Sequence, residues 1–199
     1  LKYANENKVH TQPENIVVKT HQSSAITVGI IGSGNFAKAT LVPTLQKIGA
    51  NIKYICGNDG LSAALLAKKF NIPHAVTSVD VIINDPDVNL LIIATRHDSH
   101  AALAIAGLNA SKHVFVEKPI AIDLTSLEQL KEAQAQHPEL IFQSGFNRRH
   151  APLAKQLKAQ IQNNPVSNIV ITINAGALPD GHWLYNKETG GGRIVGEAC

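Results

Sequence analysis

The chain has 199 residues, 44% of them hydrophobic and 17% charged, and its formal net charge is +3. This composition supports a packed core and excludes a chain that is disordered as a whole. The positive residues are dispersed without interleaved aromatics, which argues against a nucleic-acid partner, and no apolar run is long enough to predict a membrane span. The two cysteines lack metal-ligand spacing, so we expect no metal site and a reducing, cytoplasmic location.

A polar segment, residues 1–24, precedes the first long apolar run. It is interrupted by Pro13, and we interpret it as a linker or leader. Because the chain begins at Leu1 and contains no methionine, we expect an upstream domain of the same polypeptide.

Apolar runs and segments with helical spacing then alternate over residues 25–147, joined by short connections. Five apolar runs predict buried strands, and the four segments between them predict helices. Ser62 is the expected N-cap of the second helix, and Thr125 with Glu128 has capping-box spacing in the fourth. The alternation predicts an α/β fold: a Rossmann-type, doubly wound parallel sheet that forms a dinucleotide-binding domain.

The pattern changes after residue 147. A helix is expected to begin near Pro152, and residues 166–175 read as a long β-rich run. We interpret residues 148–199 as the truncated start of a second, α+β domain with a large open sheet, used for substrate binding and oligomerisation.

A glycine cluster directly follows the first predicted strand and opens the first helix. It reads Gly32-x-Gly34-x-x-Ala37, and this strand–turn–helix context is what makes the pattern meaningful. Gly32 permits a tight turn, Gly34 lets a pyrophosphate approach the backbone, and Ala37 permits close helix packing. We therefore predict a dinucleotide on this loop, which also contains Ser33, Asn35 and Phe36.

The residue that would bind the adenine ribose is less clear. At the end of the second predicted strand, Gly57 stands where an acid is expected, and Asn58 and Asp59 follow it. Asn58 could bond a ribose hydroxyl, whereas Asp59 is equally compatible with a simple turn residue. The sequence leaves NAD and NADP both open as cofactor.

Two charged residues, Glu117 and Lys118, end the fourth predicted strand and are followed by Pro119. Ligands bind at this carboxyl edge of open α/β sheets. A lysine held there can donate to a substrate hydroxyl, or release its proton when it is desolvated. A solvated surface pair is an equally compatible interpretation on spacing alone.

Several segments together resemble the glucose–fructose oxidoreductase / inositol dehydrogenase / MocA family, in the family's order and over residues 26–199. They are "GIIGSGNFA", "LLIIATRHDSHA", "VFVEKPIA", "GFNRRHAP" and "GGGRIVGEAC". The resemblance is strongest to the carboxyl-terminal module of two-part proteins that carry a zinc-type dehydrogenase half upstream. It implies NAD or NADP as cofactor, a sugar, cyclitol or related hydroxyl or keto substrate, and a full-length homo-oligomer.

The resemblance also implies roles for individual residues. Lys118 matches the family's catalytic lysine, which contacts substrate and nicotinamide, and Glu117 precedes it beside the nicotinamide. Asn147 and Arg148 match an interdomain pair that either bonds nicotinamide or substrate or holds the domain junction.

A further set of cofactor-pocket residues is implied by "ATRHDSHA". Thr95 and His100 match the family, while Arg96 and His97 stand where proline and asparagine are usual. Arg96 could therefore contact cofactor or substrate directly. For His100, capping or packing a helix start is the alternative.

A second glycine cluster, residues 190–192, resembles the family's entry to a helix that carries an aspartate and, four residues later, a histidine. Here the aspartate position falls on Gly196, beside Glu197, and the histidine position falls one residue beyond Cys199. The predicted function is an NAD(P)-dependent oxidoreductase module that is inactive by itself. The alternative is a dinucleotide-binding module without catalysis.

Overall fold

The computed structural model describes residues 26–161, 168 and 170–197. Six parallel strands form one sheet in the order β3-β2-β1-β4-β5-β6. The strands are β1 Thr27–Ile31, β2 Asn51–Cys56, β3 His74–Val76, β4 Leu90–Ile93, β5 His113–Val116 and β6 Phe142–Ser144. This order confirms the predicted doubly wound sheet.

Helices connect these strands, and two more follow the last strand. They are a π-helical turn Ala37–Leu41 that continues into α1 Val42–Lys47, then α2 Gly60–Phe70, α3 Asp80–Ile83, α4 His100–Asn109, α5 Leu124–Gln136, α6 Pro152–Ile161 and α7 Gly192–Glu197. Single 3-10 turns occupy His97–Ser99, Asn147–His150 and Trp183–Tyr185. The first helix ends just before Gly49, whose φ of 73° is favourable for glycine at a helix terminus.

The core has two hydrophobic clusters, because successive residues of a strand point to opposite faces of the sheet. In β4, Leu91 and Ile93 join the cluster that contains α4 and α5, while Ile92 joins the cluster that contains α1 and α2. All three side chains are almost fully buried. A sheet buried on both faces explains why these strands read as continuous apolar runs.

Two predicted helix starts are wrong by a few residues. The second helix begins at Gly60, and the N-cap is Asp59, whose carboxylate accepts the Leu61 N–H at 2.9 Å. Ser62 lies in the first turn and donates its hydroxyl to the same carboxylate at 2.6 Å. Asp59 is the N-cap because its carboxylate can accept the free N–H two residues later, whereas Ser62 already lies inside the first turn.

The start of α5 follows the same rule. Its N-cap is Asp123, which accepts the Ser126 N–H at 2.8 Å. The predicted capping box fails because Thr125 is already helical and Glu128 pairs with Lys131 instead.

The region after the sheet is only partly described. Pro152 begins α6, as predicted. The predicted strand over residues 166–175 lies partly outside the described residues, and residues 168 and 170–175 form no strand. Val170 and Ile171 are 84% and 77% exposed, and no neighbouring strand in the described part of the chain offers them hydrogen bonds. The open sheet of a second domain therefore stays a prediction, as does the boundary at residue 147.

The predicted leader, residues 1–24, lies outside the described residues. Within the ranges that the structure covers, none of the helices combines the length and apolar character needed to cross a membrane.

Candidate active site

The carboxyl ends of β1 and β4 lie side by side at the centre of the sheet, where the chain changes direction from one half to the other. Gly32 follows β1, Thr95 lies just beyond β4, and Glu117 directly follows β5. Such a switch point opens a crevice between the turns, and ligands of open α/β sheets bind there.

The glycine turn after β1 has the shape of a phosphate cradle. Gly32 has a φ of 118°, a Cβ at this residue would overlap the carbonyl oxygen of Ala94, and its N–H donates to the Cys56 carbonyl at 2.8 Å. Gly34 is different, since no atom lies within 4 Å of the position of its missing Cβ. Ala37 is buried against the core, as close helix packing requires. The turn thus offers open space over bare backbone, and this fits a dinucleotide pyrophosphate.

Three side chains of the same turn surround that space. Asn35 and Phe36 are exposed, Phe36 at 37%, and Ser33 is half-buried. Their contact with a cofactor stays a prediction.

The structure at the end of β2 explains why residue 57 is not the acid expected to bind the ribose. Gly57 is buried, and a Cβ there would overlap Oγ of Ser33. The Ser33 hydroxyl therefore occupies the space that an acidic side chain at residue 57 would need. Asn58 is exposed beside it and remains available to a ribose.

The side chain of Asp59 caps the start of α2 and does not contribute to the crevice. Hydrogen bonds from the Ser62 hydroxyl and the Leu61 N–H lower the pKa of its carboxyl. The turn interpretation of this residue is therefore the one that the geometry favours.

His100 joins the turns that follow β4 and β5. It is 1% exposed, its Nδ1 lies 2.7 Å from the carbonyl oxygen of Pro119, and its Nε2 lies 3.1 Å from that of Thr95. Because both ring nitrogens face backbone carbonyl oxygens inside the protein, the geometry gives His100 a positioning role at the helix start. Direct contact with the cofactor stays a prediction.

The hydroxyl groups around α4 are also engaged. Oγ1 of Thr95 lies 2.6 Å from Oγ of Ser99, which donates to the Arg96 carbonyl at 2.9 Å. Ser99 precedes the helix but does not cap it with its side chain. The turn after β4 is thereby held in one conformation.

His97 and Arg96 form one wall of the crevice together with Trp183. Nδ1 of His97 lies 2.8 Å from the Gly190 carbonyl oxygen, and its ring meets Trp183 edge-on at 4.8 Å between centroids. Burial lowers the pKa of His97, which is 9% exposed. The exposed Arg96 guanidinium lies 5.7 Å from the centre of the Trp183 ring.

Glu117 and Lys118 form the floor after β5. Burial raises the pKa of the Glu117 carboxyl, and a Cβ at Gly145 on the neighbouring strand end would lie 2.6 Å from its Oε1. Gly145 therefore leaves the room that this carboxylate uses. Lys118 donates from Nζ to the carbonyl oxygen of Gly196.

Asn147 and Arg148 follow β6, next to β5, in a 3-10 turn. Both side chains are exposed, and the Asn147 N–H donates to the Gly145 carbonyl at 2.8 Å. Their contact with nicotinamide or substrate stays a prediction.

The second glycine cluster leads into a helix, as predicted. A Cβ at Gly190 would lie 2.6 Å from Cα of Leu184, while Gly191 and Gly192 have φ values of 72° and 84°. Each of the three positions thus favours glycine, and α7 starts at the third.

No acid on α7 faces the crevice from the expected position. A Cβ at Gly196 would lie 2.8 Å from Leu184 and 3.0 Å from Cε1 of His97. Glu197 is paired with Arg193 at 2.8 Å, so its carboxylate does not replace the missing one.

Four contributors to the site were not predicted from the sequence: Gly145, Trp183, Leu184 and the Gly190 carbonyl. The chain's single tryptophan, close before a triple glycine, was the available signal. In the described part of the chain, no three His, Cys, Asp or Glu side chains are placed together to hold a metal ion.

Comparison with known proteins gives a consistent result. The profile of an oxidoreductase family with an NAD-binding Rossmann fold matches residues 26–146. An inositol 2-dehydrogenase of Salmonella paratyphi B is 28% identical over 193 residues, covering 85% of this chain and 56% of the relative. A 1,5-anhydro-D-fructose reductase of Ensifer adhaerens is 25% identical over 172 residues, covering 84% and 51%.

Solved structures show the same fold. A levoglucosan dehydrogenase in complex with NADH and levoglucosan superposes with a TM-score of 0.71 at 27% identity, covering 85% of this chain and 50% of that one. A 3-ketoreductase from Actinomadura kijaniata with bound NADP gives a TM-score of 0.74 at 23% identity, covering 86% and 54%. The chain spans about half the length of the curated relatives it matches.

Proposed function

Since the chain belongs to the oxidoreductase family with an NAD-binding Rossmann fold, we propose that it is part of an enzyme that oxidises a sugar or cyclitol hydroxyl, or reduces the corresponding ketone. The cofactor is NAD or NADP. The observation that carries the proposal is the empty space over Gly34 at the switch point of the sheet. The names of the relatives, which include inositol and anhydrosugar enzymes, support the substrate class.

The chain's own residues have distinct tasks in this proposal. Residues 32–37 hold the pyrophosphate on bare backbone N–H groups, and Asn58 bonds the ribose. The bound nicotinamide supplies or accepts a hydride, and Glu117 lies beside it. Lys118 donates a hydrogen bond to the substrate oxygen, and its bond to the Gly196 carbonyl holds the ammonium in place before substrate arrives.

We extend the proposal to the whole protein: an upstream domain in the same polypeptide, a homo-oligomer, and a cytoplasmic location. The exposed apolar side chains Val170, Ile171 and Ile194 support a larger assembly, since they are 77–84% exposed. The buried, free thiol of Cys56 is compatible with a reducing compartment.

The second candidate is a dinucleotide-binding module without catalysis. It is favoured by a single feature: Gly196 has no side chain, and the neighbouring Glu197 is paired with Arg193. The two candidates share the cofactor and differ only in turnover.

One experiment tests both steps. Calorimetry with NADH and NADPH measures binding, and hydride transfer is then assayed with myo-inositol, scyllo-inositol and levoglucosan in the full-length protein. We expect binding, and turnover that falls by about 100-fold or more in Lys118→Ala. Binding without turnover supports the binding module, and absence of both binding and a melting shift overturns the dinucleotide site.

A further inference from the structure

His97 is a buried imidazole of the crevice whose ring is held through a single nitrogen. Nδ1 lies 2.8 Å from the Gly190 carbonyl oxygen, which can only accept a hydrogen bond. In the neutral ring, Nδ1 therefore carries the hydrogen and Nε2 carries the lone pair. The edge of Trp183, 4.8 Å away between centroids, limits rotation of the ring.

The other nitrogen, Nε2, is open. Among the described residues, the only fully buried side-chain polar atom without a hydrogen-bond partner is Oε1 of Gln134. No described residue forms a hydrogen bond with Nε2 of His97, and Nε2 is not among these fully buried atoms without a partner, so part of its surface is accessible to solvent. His100 differs in this respect, because both of its nitrogens are engaged.

The charge state of the ring suits proton exchange near neutral pH. Burial is the main cause that lowers the pKa of His97 below its ordinary value of 6.5, and the neighbouring His100 and Lys118 act in the same direction. The Gly190 carbonyl and Asp98 oppose them. A neutral imidazole with a fixed tautomer and a free Nε2 is the usual form of a general base.

His97 also lies next to the position on α7 where an acid is expected. A Cβ at residue 196 would lie 3.0 Å from Cε1 of His97, and Lys118 donates to the carbonyl of the same Gly196. The imidazole and the ammonium therefore flank one backbone position. A side chain at residue 196 would therefore crowd the ring, and the glycine leaves His97 the room to take this position.

We propose that His97 is a catalytic residue that takes up the substrate hydroxyl proton on Nε2, in place of an acid on α7. The inference rests on the proposed oxidoreductase function. In oxidation, the substrate O–H bond breaks and its proton passes to Nε2, the C–H bond of the same carbon breaks, and the carbonyl forms. The nicotinamide dinucleotide takes up the hydride, and reduction reverses each step.

The test combines a spectroscopic and a kinetic measurement on the full-length protein. Long-range ¹⁵N–¹H NMR of histidine-labelled protein at pH 7 should show His97 with a hydrogen on Nδ1 and a bare Nε2. His97→Gln identifies the signal, and His74→Gln, at the opposite edge of the sheet, is the matched control. A His97 ring that is charged or bears its hydrogen on Nε2 at pH 7 overturns the proposal without any substrate.

For the kinetics, we expect His97→Gln to lower kcat for polyol oxidation by about 100-fold, with the dissociation constant for NADH changed less than about twofold. The decline of the wild-type rate toward acidic pH should disappear in the variant. Unchanged kcat and pH profile in a folded variant overturn this inference and leave the oxidoreductase function standing. A wild-type protein without turnover of the polyols overturns both.

Discussion

At the amino edge of the sheet, charged side chains form ion pairs with opposite charges. At the carboxyl edge, in the turns that follow β4 and β5, they are either buried or exposed to solvent, and they form no such ion pairs among the described residues. Lys53 lies 2.7 Å from Asp85 and 2.8 Å from Asp87, and Tyr54 donates to Asp85 at 2.7 Å. At the carboxyl edge, Glu117 and His97 have pKa values shifted chiefly by burial.

The two edges have opposite effects on the ionised form of their side chains. A partner of opposite charge stabilises the ionised form, so the Lys53 and Tyr54 hydrogen bonds lower the pKa of Asp85 to about 2. Burial destabilises the ionised form, and in Glu117 it outweighs the hydrogen bond from the Lys118 N–H and the charge of Lys118, so the pKa is raised. The amino edge therefore contributes to folding stability, while the carboxyl edge retains groups whose charge state is easily changed by a ligand.

The largest expected effect is a loss of cofactor binding at the carboxyl edge without a loss of folding stability. Gly34→Val fills the open space of the phosphate cradle, so the dissociation constant for NADH should rise at least about 100-fold. The melting temperature without cofactor should change by no more than about 1 °C, because no atom lies within 4 Å of the new Cβ.

Gly49→Ala is the matched control for that experiment. Its Cβ also meets nothing within 4 Å, but its φ is 73°. We expect the reverse result: melting lower by about 2–4 °C and binding unchanged. Normal NADH binding by Gly34→Val in calorimetry would remove the cradle from the site.

The next effect concerns the cofactor's ribose. Gly57→Asp combined with Ser33→Gly should place a carboxylate at the end of β2 and free the space that it needs. We expect the preference for NADH over NADPH, measured by fluorescence titration, to rise about tenfold, since a 2′-phosphate is repelled. Gly57→Asp alone should lower the melting temperature instead. An unchanged cofactor ratio in the double variant would contradict this assignment.

Asp85→Asn removes the carboxylate that pairs with Lys53 and Tyr54 at the amino edge. At pH 7 we expect melting about 4 °C below wild type, with NADH binding unaffected. The Asp85 pKa is about 2 in the folded protein against an ordinary 3.8, so its contribution is present above pH 3.8 and lost as pH falls toward 2. Calorimetric scans over this range should show the wild-type and variant curves converge.

Glu117→Gln should act with the opposite sign. The folded pKa of Glu117 lies above its ordinary value of 4.5, so its contribution to stability is present below pH 4.5 and lost as pH rises. The variant should therefore melt about 2 °C above wild type at pH 7 and equal to it at pH 4. Glu128→Gln, in an exposed pair with Lys131, is the control and should change nothing; a destabilised Glu117→Gln would refute the contrast between the edges.

Most of the sheet was predictable because its signal is local. Strands buried on both faces give continuous apolar runs, and β1, β2, β4, β5 and β6 were recognised by them. The edge strand β3 was missed because it has three residues, two of them exposed. Helix starts were misplaced where an aspartate upstream competed with a serine or threonine, as at Asp59 and Asp123.

The site was predictable only in part, because half of it is assembled over long distances in sequence. The Gly32 turn and Lys118 follow strands and are visible as motifs. The bond between His97 and Gly190 joins residues 93 positions apart, and no local pattern encodes it. Likewise, only the structure shows that Glu197 pairs with Arg193 and that Ser33 fills the space beside Gly57.

Trp183 is the single tryptophan of this chain, and its ring packs against both the Arg96 guanidinium and the ring of His97. Tryptophan fluorescence of the chain therefore reports on the crevice and not on the sheet. Unfolding of the sheet can be followed separately by circular dichroism. Emission from Trp183 overlaps the absorption of a reduced nicotinamide, so energy transfer would signal occupancy directly. The molecule thus contains its own optical probe, located beside the imidazole whose protonation is in question.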